Sequence, residues 1–257
     1  MCALQDQVIL ITGSTDGLGR LVATHLAQQG ATVLLHGRDP AKGADVLREI
    51  AQATQNPRVR YYNANLASLQ EVRDLALRIR LNQPRLDVLV NAQGVVPVGG
   101  LLEATDQDWE EAFLLNAKSV FWAMQAALPK MAAQGGGSVI NIASVAAFKM
   151  VPGRFIYSAT KAALVAMTKA AALEFAPKGV RVNCIAPGTM GTAAWDLAPL
   201  EMRQQLEAKV PFPQRFGTPE EFAARVAAVK TEGRKSVLLL VSDAKGEIRF
   251  VAVSVGE

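Results

Sequence analysis

Tyr157 and Lys161 stand four residues apart in GRFIYSATKAALVAM, and Ser144 lies thirteen residues before the tyrosine in INIASVAAF. Residues at i and i+4 share one face of a helix, about 6 Å apart along its axis. A phenol with an ordinary pKa of about 10 is a poor acid–base catalyst near neutrality. A neighbouring ammonium stabilises the phenolate and lowers that value, each unit requiring about 1.4 kcal/mol. A serine hydroxyl at an adjacent strand end can then hold a substrate oxygen beside the phenol. The same spacing also occurs on the wet face of an ordinary amphipathic helix, so the rest of the chain has to decide.

The elements that must position these residues alternate. Short β-rich runs at Val8–Thr12, Thr32–His36, Val59–Tyr62, Leu86–Val90, Ser138–Ile142 and Val180–Ile185 are separated by helical patterns. This alternation predicts a single α/β domain, a doubly wound parallel sheet covered by helices on both faces. Thr105 to Met131 reads as one long helix or a broken pair, and Phe155 to Phe175 as another that stops before Pro177. In such sheets ligands bind at the carboxyl ends of the strands, and the candidate residues all fall near such ends. His25 lies on the apolar stripe of the first helix, and His36 ends the second strand; two lone histidines form no metal cluster.

The run Thr12-Gly13-Ser14-Thr15-Asp16-Gly17-Leu18-Gly19 follows the first strand and opens the first helix. Glycines let the backbone approach a pyrophosphate, and the helix start offers unpaired N–H donors with a positive dipole. Strand, turn and helix in this order predict a dinucleotide site at Gly13 to Gly19. About 20 residues on, a carboxylate would select the free ribose hydroxyl of NAD. Gly37 and Arg38 stand there instead, and a guanidinium beside an unobstructed ribose favours the 2′-phosphate of NADP over NAD.

Composition excludes several other classes. The 257 residues carry 27 basic and 23 acidic side chains scattered along the chain, with no basic run of the kind that marks a nucleic-acid surface. Cys2 and Cys184 are too few and too far apart for a disulfide scaffold or a metal site. The start MCALQDQVILITGS carries no charged leader, and no apolar run is long enough for a bilayer. The expectation is a protein of the reducing cytoplasm with a small-molecule substrate and no membrane or nucleic-acid partner.

With TGSTDGLG, NAQG, Asn116, Ser144 and YSATK in order, the chain resembles the classical short-chain dehydrogenases/reductases over roughly residues 5 to 225. The resemblance implies a Rossmann-like fold, a homo-oligomer, and hydride transfer between a nicotinamide cofactor and a carbonyl or secondary alcohol. It gives Tyr157 the general acid–base role and has Lys161 lower its pKa and bind the nicotinamide ribose. Ser144 would orient the substrate oxygen, and Asn116 would hold a helix kink and a water in the proton relay. Asn65 with Leu66, Asn91 and Gly94 would join the cofactor site, with Pro187, Gly188, Thr189 and Thr192 against the nicotinamide. Two motifs depart from the family: NNAG is Asn91-Ala92-Gln93-Gly94 here, with one bracing asparagine lost, and the aspartate after the third strand is Asn65.

The third departure is the tail. In place of the family's glycine-rich close, the chain ends TEGRKSVLLLVSDAKGEIRFVAVSVGE. Val237–Val241 and Ile248–Val253 read as two strands about a polar turn, similar over about 25 residues to the closing hairpin of protease PDZ domains. The alternative takes VLLLVSD as a displaced helix end and FVAVSV as the family's last strand. The expected division is a dinucleotide-binding domain over 1–230 and an atypical segment over 231–257 that completes or flanks it. The substrate expectation is a 3-oxoacyl or 3-hydroxyacyl thioester, with sugars, polyols and steroid alcohols open. A non-catalytic dinucleotide-binding regulator, or an interaction protein using its terminal hairpin, is the rival reading.

Overall fold

The computed structural model describes residues 3–150, 152–188, 201 and 204, and the backbone of two strands within 236–254. Six strands, β1 (Val8–Thr12), β2 (Thr32–Gly37), β3 (Val59–Asn63), β4 (Val88–Asn91), β5 (Gly137–Ile142) and β6 (Val180–Ile185), form one parallel sheet in the order β3-β2-β1-β4-β5-β6. The chain runs outward from β1 to β3, then returns to the other side of β1 and runs out to β6. This reversal makes the crevice between the ends of β1 and β4 the place where ligands bind in such sheets.

Period-2 side-chain alternation divides the core into two layers. Leu10, Leu34, Leu89, Val139 and Val182 point to one face and pack under α3 (Leu69–Asn82), α5 (Ser119–Ala133) and α6 (Phe155–Phe175). Ile9, Ile11, Val33, Leu35 and Val90 point to the other, beneath α1 (Gly17–Gln28) and α2 (Pro40–Thr54). The whole of β1 is buried, as a strand covered on both faces must be.

Helix starts follow the capping chemistry of their sequences. Asp39 accepts from the backbone N–H of Ala41 and Lys42 ahead of Pro40, Ser68 accepts from Glu71, and Thr105 with Asp108 forms a capping box at α4 (Asp106–Phe113). The run from Thr105 to Met131 is helical without a gap, as the long-helix reading has it, but α4 and α5 are joined through a π-helical turn over Leu114–Lys118. Leu86 falls outside the fourth strand expected to begin there. Its backbone N–H and C=O bond the side chain of Gln134 at 3.3 and 2.7 Å instead of a neighbouring strand.

In the tail, β7 (Ser236–Ser242) and β8 (Ile248–Ser254) pair antiparallel from Ser236 with Ser254 to Ser242 with Ile248, as a two-stranded sheet separate from the six-stranded one. The intervening segment 243–247, and most of 189–235, lie outside the described residues.

Candidate active site

The glycine turn is held by close contacts that only glycine permits. Gly13 has φ +64°, and a Cβ there would lie 2.8 Å from the backbone of Gln93; a Cβ on Gly19 would lie 2.4 Å from the Gly13 carbonyl oxygen. Any side chain at either position would push the turn off β4 or α1 off the turn. Asp16 caps α1 through Gly17 and pairs with Lys42 at 2.5 Å, and chiefly the Lys42 contact lowers its carboxyl pKa. Leu18 packs into the layer beneath α1. Ser14 is wholly buried: its backbone N–H and its hydroxyl both bond the backbone of His36. That serine braces the turn against β2 with its polar groups already used.

At the end of β2, Gly37 fits against Thr15, whose side-chain atoms would lie 2.6 and 2.9 Å from a Cβ there. Tyr61 supports this edge from below, its hydroxyl within 3.0 and 2.8 Å of the Gly37 and Asp39 carbonyl oxygens. Arg38 is exposed and makes no side-chain hydrogen bond or ion pair among the described residues. Asn65 accepts from Ala67 within its own turn, and the Leu66 side chain belongs to the core.

Lys161 is buried, and its Nζ donates to the Ile142 carbonyl oxygen at the end of β5 at 2.8 Å. Desolvation lowers its pKa from 10.5 to about 8. Its Nζ lies 5.7 Å from the centre of the Tyr157 ring. Ser144 caps a short turn over Val145–Ala147 by accepting from Ala146. Burial raises the Tyr157 pKa, while Ser144 and the Arg154 charge pull it down. The expected lowering by Lys161 is thus not the arrangement seen: its ammonium is engaged with a carbonyl, and burial outweighs the groups that favour the phenolate.

Asn116 is fully buried at the centre of the π turn. Its amide bonds both backbone groups of Val95, at 2.8 and 2.9 Å, and donates to Thr160 Oγ1 at 3.1 Å; Thr160 in turn donates to the Tyr157 carbonyl oxygen. A Cβ on Gly94 would lie 2.9 Å from the Asn116 oxygen and 3.6 Å from Lys161 Nζ. Pro187 accepts from Val145, and Gly188 ends this stretch of described residues, so Thr189 and Thr192 lie outside them.

A family model described as short chain dehydrogenase matches residues 7–201. The chain belongs to that family. The 3-oxoacyl-acyl-carrier-protein reductase of Aquifex aeolicus is 36% identical over 220 residues, covering 86% of this chain and 88% of that one. An uncharacterized oxidoreductase of Methylorubrum extorquens is 33% identical over 97% of this chain and 100% of its own. Among solved structures, the L-sorbose reductase of Gluconobacter frateurii, complexed with NADPH and L-sorbose, matches with a TM-score of 0.78 at 27% identity over 88% of this chain and 90% of that one. This short-chain dehydrogenase is therefore an oxidoreductase of the NAD(P)-dependent kind.

Within this family member, Gln93 stands where the lost bracing leaves a gap. Its amide donates to Ser119 on α5 at 2.9 Å and its oxygen meets the Thr12 hydroxyl, tying β1 to α5. Asn91 donates to Asn141 at 2.8 Å, and Asn141 to Thr168 on α6 at 2.9 Å. The bracing is relocated along the strand ends. Sequence reasoning missed this role because a glutamine in a loop carries no signal of its partners.

It also set His36 aside, and the structure gives that residue a place. His36 is 3% exposed; Nδ1 accepts from the Gly13 N–H at 3.3 Å and Nε2 lies 3.1 Å from the Ala64 carbonyl oxygen, so the neutral Nε2–H tautomer links the glycine turn to the loop after β3. Burial lowers its pKa from 6.5 to about 4. Between those values the unfolded chain binds a proton that the folded protein does not, so this contribution to stability is full above pH 6.5 and is lost as the pH falls toward 4. The loss approaches about 3 kcal/mol. His36→Gln lacks this titration, so urea unfolding of both proteins at several pH values should show wild type losing that much more than the variant on acidification. A constant difference between them would show that His36 is not held neutral.

Proposed function

We propose that the protein reduces a carbonyl compound with NADPH, the physiological class being a 3-oxoacyl thioester. The observation that carries the chemistry is Ser144 at the turn after β5 that packs on α6, the helix that carries Tyr157 and, one turn on, Lys161 locked to the end of β5. The cofactor supplies the hydride. Ser144 and Tyr157 hold the substrate oxygen, and Tyr157 gives it a proton as charge develops there. Lys161, held at the end of β5, fits the nicotinamide ribose and so orients the cofactor beside Tyr157.

The cradle that a Cβ at Gly13 or Gly19 would fill fits a pyrophosphate at the start of α1. Arg38, exposed beside Gly37 and without a protein partner among the described residues, fits a 2′-phosphate. The NADPH of the Gluconobacter complex is consistent with that reading.

Apolar side chains support an acyl substrate over a polyol. Leu102, Val98 and Leu101 on the loop after β4 are 95%, 69% and 64% exposed, and Met150 after β5 is 62% exposed. The two loops are joined by hydrogen bonds from Gly99 to Gly153 and from Phe155 to Gly99, next to the start of α6. An apolar rim of this kind attracts a hydrocarbon chain and gives nothing to a sugar hydroxyl. The 3-oxoacyl group in the name of the Aquifex relative agrees with this reading.

Tyr157→Phe should lower kcat by at least about 100-fold, as expected when a general acid–base is removed, while leaving the dinucleotide Kd nearly unchanged. Retention of more than about a tenth of the wild-type rate would contradict the assignment. Arg38→Ala should raise the KM for NADPH roughly tenfold or more, the worth of a charge-assisted hydrogen bond, and that for NADH little. Equal effects on both cofactors, or a wild-type preference for NADH, would remove the case for NADP.

A further inference from the structure

Arg154 lies three residues before Tyr157, at the N-cap position of α6, and its side chain makes no capping hydrogen bond. Its backbone is fixed on three sides: the Gly153 oxygen accepts from Gly99, Phe155 donates to the Gly99 oxygen, and the Arg154 oxygen accepts from Ser158 at 2.9 Å. The guanidinium has no such partners. Its Nη1 is enclosed with no hydrogen-bond partner, and none of the ion pairs among the described residues includes it. An enclosed guanidinium donor without an acceptor is rare in folded proteins, because its desolvation is not repaid. Capping, ion pairing and packing of the helix therefore leave this group unexplained. Its position does not: it stands at the N-cap of α6, three residues before Tyr157, with its enclosed Nη1 at the same helix start that presents the catalytic hydroxyl. Burial lowers the guanidinium pKa, but arginine starts so high that the group stays charged near neutrality.

We propose that Arg154 is a substrate-binding residue whose guanidinium donates to a second carbonyl oxygen of the substrate while Ser144 and Tyr157 hold the first, which makes the preferred substrates 1,3-dicarbonyl compounds, the 3-oxo esters and thioesters. The inference rests on the reductase reading above and assigns its specificity to a residue of this chain. Residues three apart share a helix face within one turn. In a 3-oxoacyl group a single methylene separates the two carbonyls, so one molecule can reach both groups. The acyl carbonyl is only held and leaves the site unchanged. A simple ketone has no oxygen to offer Arg154, and a site built around a buried donor discriminates against substrates that leave it unpaired.

The test compares ethyl 3-oxohexanoate with 2-hexanone, each with NADPH, in wild type, Arg154→Met and Arg154→Lys. The methionine variant should lose at least about tenfold more in kcat/KM on the 3-oxo ester than on the monoketone, the usual weight of a charge-assisted hydrogen bond, beyond the loss that both substrates share through Tyr157. Arg154→Lys, which keeps a cation, should restore the loss shared by both substrates and recover part of the additional loss on the ester. Damage to α6 or to the acidity of Tyr157 would lower both substrates together, so an equal fall overturns the proposal, as does no change on the ester. Wild type that reduces the monoketone as efficiently as the ester overturns it too while leaving the reductase reading intact. Turnover of neither carbonyl with NADPH or NADH overturns both.

Discussion

A single buried ammonium organises the site. Lys161 reaches from α6 to the last carbonyl of β5, and this contact sets how the helix carrying Tyr157 sits on the sheet. Everything around it is shaped to let it in. Gly94 lacks the side chain that would crowd the Asn116 amide oxygen beside Nζ, and Asn116 occupies the widened turn between α4 and α5. A regular α-helix through Leu114–Lys118 would place that amide elsewhere, and the loop after β4 would lose its anchors at Val95. π turns of this kind are costly and concentrate where function requires them.

The same logic extends across the sheet. At the cofactor side, Gly13 and Gly19 permit contact with Gln93 and with each other, and buried Ser14 and His36 stitch the turn to β2 and to the loop after β3. At the junction of β1, β4 and α5, Gln93 and Asn91 bond their neighbours through different partners. Buried polar groups of this kind specify one arrangement when each is satisfied. The Asn91 oxygen, Arg154 Nη1 and the Ser158 hydroxyl are the enclosed side-chain atoms without a partner among the described residues, and two of the three belong to the first turn of α6 around Tyr157.

Much of this was legible in the sequence. The central strands β1 and β2 have the strongest patterns, because they are buried almost throughout and read as apolar runs, and the ends of all six strands came within two residues. The largest difference, two residues, is at the start of β4, where Leu86 carries strand-like chemistry but its backbone is claimed by Gln134. The glycine turn and the positions of Ser144, Tyr157 and Lys161 were also legible, since rigid spacing along a helix and after a strand needs no long-range knowledge. What was hidden depended on partners distant in sequence: His36 serves Gly13 and Ala64, 23 and 28 residues away, and Gln93 meets Thr12, 81 residues away. The balance at Tyr157 was hidden for the same reason, because burial is a property of the packed fold and not of the YxxxK spacing.

The central claim is that Lys161 is kept for chemistry at a cost to stability. Folding lowers its pKa from 10.5 to about 8, so at pH 7 the folded protein carries a desolvated charge whose cost is about 3 kcal/mol, relieved only as the pH rises from 8 toward 10.5. Lys161→Met keeps the volume and removes the charge, so thermal unfolding and turnover measured side by side at pH 7 separate the two roles. The account predicts a variant that melts no lower than wild type and has lost at least about 100-fold in kcat/KM. A lower melting temperature with near wild-type turnover per folded molecule would show that Lys161 holds the fold together and takes no part in the reaction.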